Sequence, residues 1–252
     1  MNPVYAVLLE INDENIQWAK THYPQFWNIH LGNKKRTSYL LSRALLLHTL
    51  KSYYQIHQLP EISYNDHQKP IFTNCNISFN LTHSNDYVGL VISSGSIPLG
   101  IDIEAIQPRR NFSGLLNRTF QPTEIEWILE KKWDVSTHPT LTLNDDEITR
   151  FFLLWSAKEA YLKADGRGLQ GLHSITLNPM QSTMKGDLDN GVLLLSTLCF
   201  DEATKSPNSF ALYVPSKSFC NISLQILSIS SQPQPHFLSM PITWKIKMCE
   251  DA

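Results

Sequence analysis

The sequence predicts an α+β fold, and three features of its pattern lead to this prediction. Two segments, 34–54 and 148–164, have the apolar spacing of helices that pack against a core. Short apolar runs bounded by Gly, Pro and Ser, such as 87–93, are typical of strands. Both halves of the 252-residue chain contain a helix and several strands, and this length is sufficient for one large domain or two small ones.

The first predicted half spans residues 1–98, and it ends where the turn residues Ser93–Ser96 are followed by Pro98. Its helix has a broad apolar face that includes Leu40 and Leu45. Its predicted elements are a strand over 5–11, a helix over 34–54, and strands over 78–81 and 87–93.

The second predicted half spans residues 99–252. Pro122 is expected to begin a helix, because proline is favoured at the first helical position. Gly166 and Gly168 are expected to end another. The predicted elements are a strand over 99–104, a helix over 122–129, a loop over 135–146, a helix over 148–164, and short strands in the runs VLLLSTLCF, SFALYV and ISLQILSI.

Composition and charge narrow the classes of function. The formal net charge of −2 gives no overall positive field of the kind that predicts nucleic-acid binding. We expect neither a signal peptide nor a membrane helix, since no apolar run approaches the required length. The cysteines are widely spaced and match neither a zinc pattern nor a disulfide framework, so we expect reduced thiols and a cytoplasmic location. They are Cys75, Cys199, Cys220 and Cys249.

The run GIDIE places two carboxylates on one side of a predicted strand. Residues two apart on a strand point the same way, so Asp102 and Glu104 share a face opposite Ile101 and Ile103. A divalent cation with oxygen ligands would relieve the repulsion between the two carboxylates. The alternative is an edge strand whose acidic residues face water.

The apolar helix over 148–164 contains three charged residues, Lys158, Glu159 and Lys163, in its middle and later turns. Buried helices rarely contain charges without a partner or a ligand. Glu159 and Lys163 are four residues apart and share a face, so a surface salt bridge is the alternative explanation.

The run SFNLTHS, preceded by Lys69-Pro70, places a hydroxyl and an imidazole at the end of a strand. Thr82 and His83 could hold a phosphate or an adenosine group there. The alternative for His83 is a structural hydrogen bond.

Lys69-Pro70, FNLTHS, GIDIE and WSAKEAYLK occur in this order, and together they resemble the Sfp-type 4′-phosphopantetheinyl transferase family, in particular its holo-acyl-carrier-protein synthase branch. The resemblance extends from about Lys34 to Leu172 and includes SRALLLHTL. Thr82-His83 stands where the family has Ser-His, and Gln68 stands where it has Gly before Lys-Pro.

The resemblance implies two similar α+β halves related by a pseudo-twofold axis, with coenzyme A and the active site in the cleft between them. It implies Asp102, Glu104 and Glu159 as ligands of Mg²⁺, and catalytic roles for Glu159 and Lys163. The residues implied to contact coenzyme A are Arg43, Lys69, Thr82, His83, Lys158 and Lys163, with Lys34, Lys35 and Arg36 as further candidates in a loose register.

The implied reaction transfers the 4′-phosphopantetheine group of coenzyme A to a serine of an apo acyl or peptidyl carrier protein and releases adenosine 3′,5′-bisphosphate. Glu159, or a metal-bound water that it orients, would accept the serine proton, and Lys163 would protonate the leaving phosphate; the sequence leaves these assignments open. Arg109, Arg110 and Arg118 are candidates for docking an acidic carrier, or are ordinary solvated arginines. Two halves in one chain predict a monomer.

Two other functions stay open from the sequence. A catalytically idle relative would bind coenzyme A or a carrier protein as a regulator, although all three carboxylates and both helix lysines are present. A different Mg²⁺-dependent phosphotransferase, such as a nucleotidyl transferase, would require a Gly-rich phosphate loop, and the sequence has no Walker-type motif.

Overall fold

The structure is a computed structural model that describes residues 2–108, 112–132, 141–188, 190–198, 207–228, 236–239 and 244–248. The helices are α1 (Asp13–His22), α2 (Asn33–Tyr54), α3 (Phe112–Thr119), α4 (Pro122–Leu129) and α5 (Asp145–Asp165), with 3₁₀ turns at Pro24–Phe26, Gly168–Ser174 and Ser216–Asn221. The strands are β1 (Val4–Glu10), β2 (Ile62–Tyr64), β3 (Pro70–Phe72), β4 (Ile77–His83), β5 (Tyr87–Ser94), β6 (Gly100–Ala105), β7 (Thr176–Asn178), β8 (Thr183–Lys185), β9 (Gly191–Leu198), β10 (Asn208–Pro215), β11 (Ile222–Ser228), β12 (His236–Ser239) and β13 (Trp244–Met248).

The α+β prediction is confirmed, and the chain forms two compact units. Unit 1 consists of Met1–Ile97 and Cys220–Pro241, and unit 2 consists of Pro98–Phe219 and Ile242–Ala252. The predicted second half, 99–252, differs from this division in one segment, because β11 pairs in parallel with β1 of unit 1.

Unit 1 contains a five-stranded sheet in the order β12-β11-β1-β5-β4 and the separate hairpin β2–β3. Helix α2 packs on the sheet through the apolar face that the sequence predicts, including Leu40, Leu41 and Leu45, which are fully buried. Helix α1 was not predicted. It begins after Asn12, whose side chain accepts a hydrogen bond from the backbone nitrogen of Asn15 at 2.9 Å.

A buried polar contact joins the segment after α1 to α2. The hydroxyl of Tyr23 and Nδ1 of His48 are 3.1 Å apart and share a hydrogen bond. Burial lowers the pKa of His48 to about 4, and the nearby Lys51 cation adds to this shift. His48 is therefore neutral at physiological pH.

Unit 2 contains a six-stranded sheet in the order β6-β10-β9-β13-β8-β7, and α5 packs against β6 and β10. Helix α5 begins three residues before the predicted start, because the Asn144 side chain accepts from the Glu147 backbone nitrogen at 2.9 Å and the Glu147 carboxylate accepts from the Asn144 nitrogen at 2.9 Å. It ends as predicted at Gly166, which adopts φ 90°. Within the described ranges, no helix is long and apolar enough to cross a membrane.

Candidate active site

Strand β6 is the edge strand of the unit 2 sheet, and its side chains alternate as predicted. Ile101 and Ile103 are fully buried on one face. Asp102 and Glu104 lie on the other face, which packs against α5; Asp102 is only 3% exposed and Glu104 is half-buried. The alternative of an edge strand with both acids facing water is therefore wrong for Asp102.

A glycine allows β6 to approach α5 closely. A Cβ atom added to Gly100 would lie 1.8 Å from the carbonyl oxygen of Ala160 and 2.7 Å from the backbone nitrogen of Ala164. Any side chain at residue 100 would therefore separate the strand from the helix. This explains why glycine begins the run that contains both carboxylates.

Lys163 on α5 connects the helix to the acidic strand. Its Nζ donates to Asp102 Oδ1 at 2.6 Å and to the carbonyl oxygen of Ile101 at 3.3 Å. The Lys163 side chain is 27% exposed and that of Asp102 only 5%, so the pair lies at the edge of the buried interior. Lys163 thus pairs with a carboxylate of the strand. The alternative explanation, a surface salt bridge within the helix, did not include this contact.

Glu159 belongs to the same electrostatic environment. Burial, together with the negative charges of Asp102 and Glu104, raises its pKa to about 7, although the Lys163 cation acts in the opposite direction. The four residues that the sequence assigned to metal binding and catalysis therefore influence one another electrostatically. A carboxyl group with this pKa exchanges a proton readily at neutral pH.

The chemistry of these residues fits a hard divalent cation. Three carboxylates offer oxygen ligands, and a cation would remove the repulsion that raises the Glu159 pKa. Among the residues that the structure describes, however, no three His, Cys, Asp or Glu side chains are close enough together to hold an ion as they stand. The Mg²⁺ ligands thus stay a prediction.

Two buried serines connect α5 to the strand next to β6. Ser156 Oγ and Ser209 Oγ are 2.7 Å apart, and Ser209 Oγ donates to the carbonyl oxygen of Glu104 at 3.4 Å. Neither serine is exposed. Neither serine was predicted to have a role, although a serine on the apolar face of α5 indicates a buried hydroxyl that needs a partner.

The prediction that Lys158 contacts phosphates is wrong for this structure. Its side chain is fully buried, and its Nζ forms an ion pair with Glu124 Oε2 at 2.7 Å. The same nitrogen donates to the carbonyl oxygens of Thr119 at 2.9 Å and Ile175 at 3.2 Å. Burial lowers the pKa of the Lys158 amine, and the adjacent Glu124 carboxylate opposes that shift. All three donors of the ammonium group are already occupied inside unit 2.

The residues predicted for the nucleotide end of coenzyme A belong to unit 1. His83, at the end of β4, is exposed, whereas Thr82 beside it is buried, because neighbouring residues on a strand face opposite sides. Lys69 is half-buried in the turn before β3, where its backbone nitrogen donates to Asn65 Oδ1 at 2.9 Å. His83 is thus the accessible member of the predicted Thr-His pair.

The start of α2 lies close to the turn between β4 and β5. Lys34 Nζ donates to Asn85 Oδ1 at 2.9 Å, and Lys35 is exposed. The Arg36 guanidinium donates to the carbonyl oxygens of Ile29 and Leu31, at 2.9 Å and 2.7 Å, and so stabilises the preceding loop. Of the three loosely placed candidates, Lys34 and Arg36 therefore form hydrogen bonds within unit 1, and Lys35 is exposed.

Arg43 of α2 has an unsatisfied donor. Its Nη1 is buried and has no hydrogen-bond partner among the described residues. Its guanidinium lies over the Tyr39 ring, 5.4 Å from the centroid. Buried guanidinium donors without partners are rare in native proteins, so this position is suited to an anionic ligand.

The candidates for docking a carrier protein are only partly described. Arg118 is exposed near the end of α3. Arg109 and Arg110 lie outside the described residues. The docking surface stays a prediction.

Together, the fold and the site define an α+β protein with a carboxylate and lysine centre suited to phosphate chemistry. Residues 98–197 match the 4′-phosphopantetheinyl transferase superfamily. The 4′-phosphopantetheinyl transferase AcpT of Escherichia coli is 33% identical over 166 residues, which are 65% of this chain and 76% of that protein. AcpT of Salmonella typhimurium is 30% identical over 175 residues, 69% of this chain and 79% of the relative.

A match over a shorter part of the chain is the 4′-phosphopantetheinyl transferase gsp of Aneurinibacillus migulanus, 32% identical over 105 residues, which are 42% of this chain and 38% of that protein. The chain belongs to the 4′-phosphopantetheinyl transferase superfamily. It is an enzyme of the transferase class, as the order of its motifs predicts.

Proposed function

We propose that this enzyme transfers the 4′-phosphopantetheine group of coenzyme A to a serine hydroxyl of an apo acyl or peptidyl carrier protein, and that the reaction requires Mg²⁺. The observation that supports this best is the group of Asp102, Glu104, Glu159 and Lys163 on β6 and α5. Matches to named 4′-phosphopantetheinyl transferases cover this part of the chain.

The cation would be held by Asp102, Glu104 and Glu159. When bound, Mg²⁺ supplies positive charge that offsets the charge of the pyrophosphate. Lys163, already bonded to Asp102, has an exposed fraction of 27% and can add a second positive charge beside the reacting phosphates.

The group transfer forms one bond to phosphorus, breaks another, and requires an acceptor for the serine proton. The serine oxygen forms a bond to the phosphorus attached to pantetheine, and the bond from that phosphorus to the bridging oxygen breaks. Glu159 accepts the serine proton directly or through a water molecule that it orients. Lys163 stabilises the leaving adenosine 3′,5′-bisphosphate and donates a proton to it.

The nucleotide end of coenzyme A would be held in unit 1. Arg43 Nη1 is a buried donor with no partner in the part of the chain that the structure describes, His83 offers an exposed imidazole, and Lys69 a half-buried cation. Lys34 and Lys35 add positive charge at the start of α2. These groups are suited to phosphate oxygens, which accept hydrogen bonds and carry negative charge.

The partner is a carrier protein of acidic surface, recognised near Arg118, and the enzyme acts as a monomer in the cytoplasm. The test is incubation of the protein with coenzyme A, Mg²⁺ and each of several apo carriers, of fatty-acid, polyketide and peptide-synthesis type. We expect at least one carrier to gain the mass of phosphopantetheine in the mass spectrum. A carrier whose acceptor serine is replaced by alanine is the control. No gain with any carrier would refute the proposal.

A further inference from the structure

A completely buried ion pair lies behind the proposed active site. The side chains of Lys158 and Glu124 are both 0% exposed, and Lys158 Nζ lies 2.7 Å from Glu124 Oε2. The other two ammonium donors reach the carbonyl oxygens of Thr119, at the end of α3, and Ile175, just before β7. The proposed reaction has no direct use for this pair.

The carboxylate of Glu124 is as fully engaged as the ammonium. Its Oε1 accepts from the backbone nitrogen of Leu177 in β7 at 2.7 Å. Its Oε2 accepts from the backbone nitrogen of Gln121, which precedes α4, at 2.7 Å. Three bonds from Lys158 therefore tie α5 to α4, to the end of α3 and to the residue before β7, and Glu124 in turn joins α4 to β7.

Net stability is a weak explanation for this arrangement. Taking two charges out of water is unfavourable, and a well-packed apolar pair often stabilises a fold as well or better. Directional bonds differ from apolar contacts in their effect on α5. They form only at one rotational position of the helix about its axis, so they hold it in that position. The rest of the buried face includes Phe151, Phe152 and Leu154, whose apolar contacts are non-directional.

The rotation of α5 matters because Glu159 follows Lys158 directly. Glu159 faces the charges of Asp102 and Glu104, which repel it. A rotation of 20° moves a side chain about 5 Å from the helix axis by about 2 Å. A displacement of about 1 Å at a reacting group can lower a rate by about 100-fold.

We propose that the Lys158–Glu124 pair is a positioning device that holds α5 against this repulsion and keeps Glu159 within reach of Asp102 and Glu104. The inference rests on the proposed function for the identity of the reaction. It assigns Lys158 an action through Glu159 and no contact with coenzyme A.

Two variants test this. Lys158→Met combined with Glu124→Gln removes both charges together, so that no unpaired charge stays buried. Glu124→Asp keeps both charges and shortens the carboxylate arm by one methylene. Lys131→Met is the matched control, because Lys131 is 59% exposed and 4.0 Å from its acidic neighbour Glu147.

Three measurements are made on each folded variant: the urea midpoint, kcat and KM for coenzyme A in the transfer assay, and the Kd for Mn²⁺ from the paramagnetic resonance signal of the free ion. We expect both test variants to lose at least 10-fold in kcat with less than a 3-fold change in KM. We expect Mn²⁺ affinity to weaken at least 5-fold. The control is expected to match the wild type in all three.

The outcomes separate the inference from the proposed function. Test variants that fold, bind Mn²⁺ and turn over like the wild type would overturn the positioning role, and so would a selective rise in KM for coenzyme A. A wild type that binds no Mn²⁺ would overturn it too. A wild type that modifies no carrier refutes the proposed function, and weaker Mn²⁺ binding by the variants would still support the inference. If the double variant does not fold, Glu124→Asp decides.

Discussion

The replacement Gly100→Ala tests whether the close approach of β6 to α5 sets the geometry of the site. The added Cβ would lie 1.8 Å from the Ala160 carbonyl oxygen, and real Cβ atoms essentially never come within 3.0 Å of such an atom. The strand and the helix must therefore separate by about 1.2 Å, since the opposing atom is backbone and has no rotamer to change. Overpacking of this kind destabilises a fold by about 1–3 kcal/mol.

The effect on catalysis is expected to exceed the effect on folding. Asp102 and Glu104 move with β6, whereas Glu159 and Lys163 move with α5, so the separation acts directly on the distances between them. A displacement of about 1 Å corresponds to a loss of about 100-fold in kcat. We therefore predict this loss in a variant that still unfolds cooperatively.

The assay measures kcat with coenzyme A and apo carrier at a temperature well below the unfolding midpoint, with urea unfolding measured in parallel. Gly32→Ala is the control, because a Cβ at Gly32 meets no atom within 4 Å, and it is expected to change stability by less than about 1 kcal/mol. A Gly100→Ala enzyme that keeps kcat within 3-fold of the wild type would refute the reasoning.

Three further predictions concern other parts of the chain. Asp102→Asn is expected to lower kcat at least 100-fold in a variant that still unfolds cooperatively, as measured by transfer assay and urea titration; near-normal turnover would exclude this carboxylate from the reaction. Arg43→Met is expected to raise KM for coenzyme A about 10-fold with kcat unchanged, because Arg43 Nη1 is a buried donor that has no partner within the described ranges; an unchanged KM would contradict this. The pKa of His48 is lowered by burial and by Lys51 to about 4, so the unfolded state binds its proton first as pH falls from 6.5 towards 4. The contribution of neutral His48 to the free energy of unfolding is complete above pH 6.5. It decreases as the pH falls, by about 1 kcal/mol at pH 5 after allowance for the partial exposure of the ring. Urea unfolding of His48→Gln should lack this loss of stability, while His57→Gln should keep it.

Local patterns predicted the elements that hold the site. The alternation of apolar and acidic residues along β6 predicted that Asp102 and Glu104 share a face. The spacing of apolar residues predicted helix α5, and Gly166 predicted its end. These predictions succeed because period and capping depend on residues close together in the sequence.

The contacts that were not predicted join residues far apart in the sequence. The partner of Lys158 is Glu124, on a different helix, and the sequence suggested only that a buried lysine needs a partner. Glu124 follows the helix-opening Pro122 and therefore resembled an ordinary acidic residue of a first turn. In the same way, no local signal places β11 beside β1 in unit 1.

The dependence of transfer on Mg²⁺ tests the central claim most directly. The enzyme is treated with a chelator, desalted, and assayed with coenzyme A and apo carrier over a range of Mg²⁺ concentrations, alongside Glu104→Gln. We predict no transfer without a divalent cation, saturation as Mg²⁺ is added, and at least a 10-fold higher half-saturating concentration for the variant. Full activity in excess chelator, or the same Mg²⁺ dependence in both proteins, would contradict the assignment of this carboxylate centre.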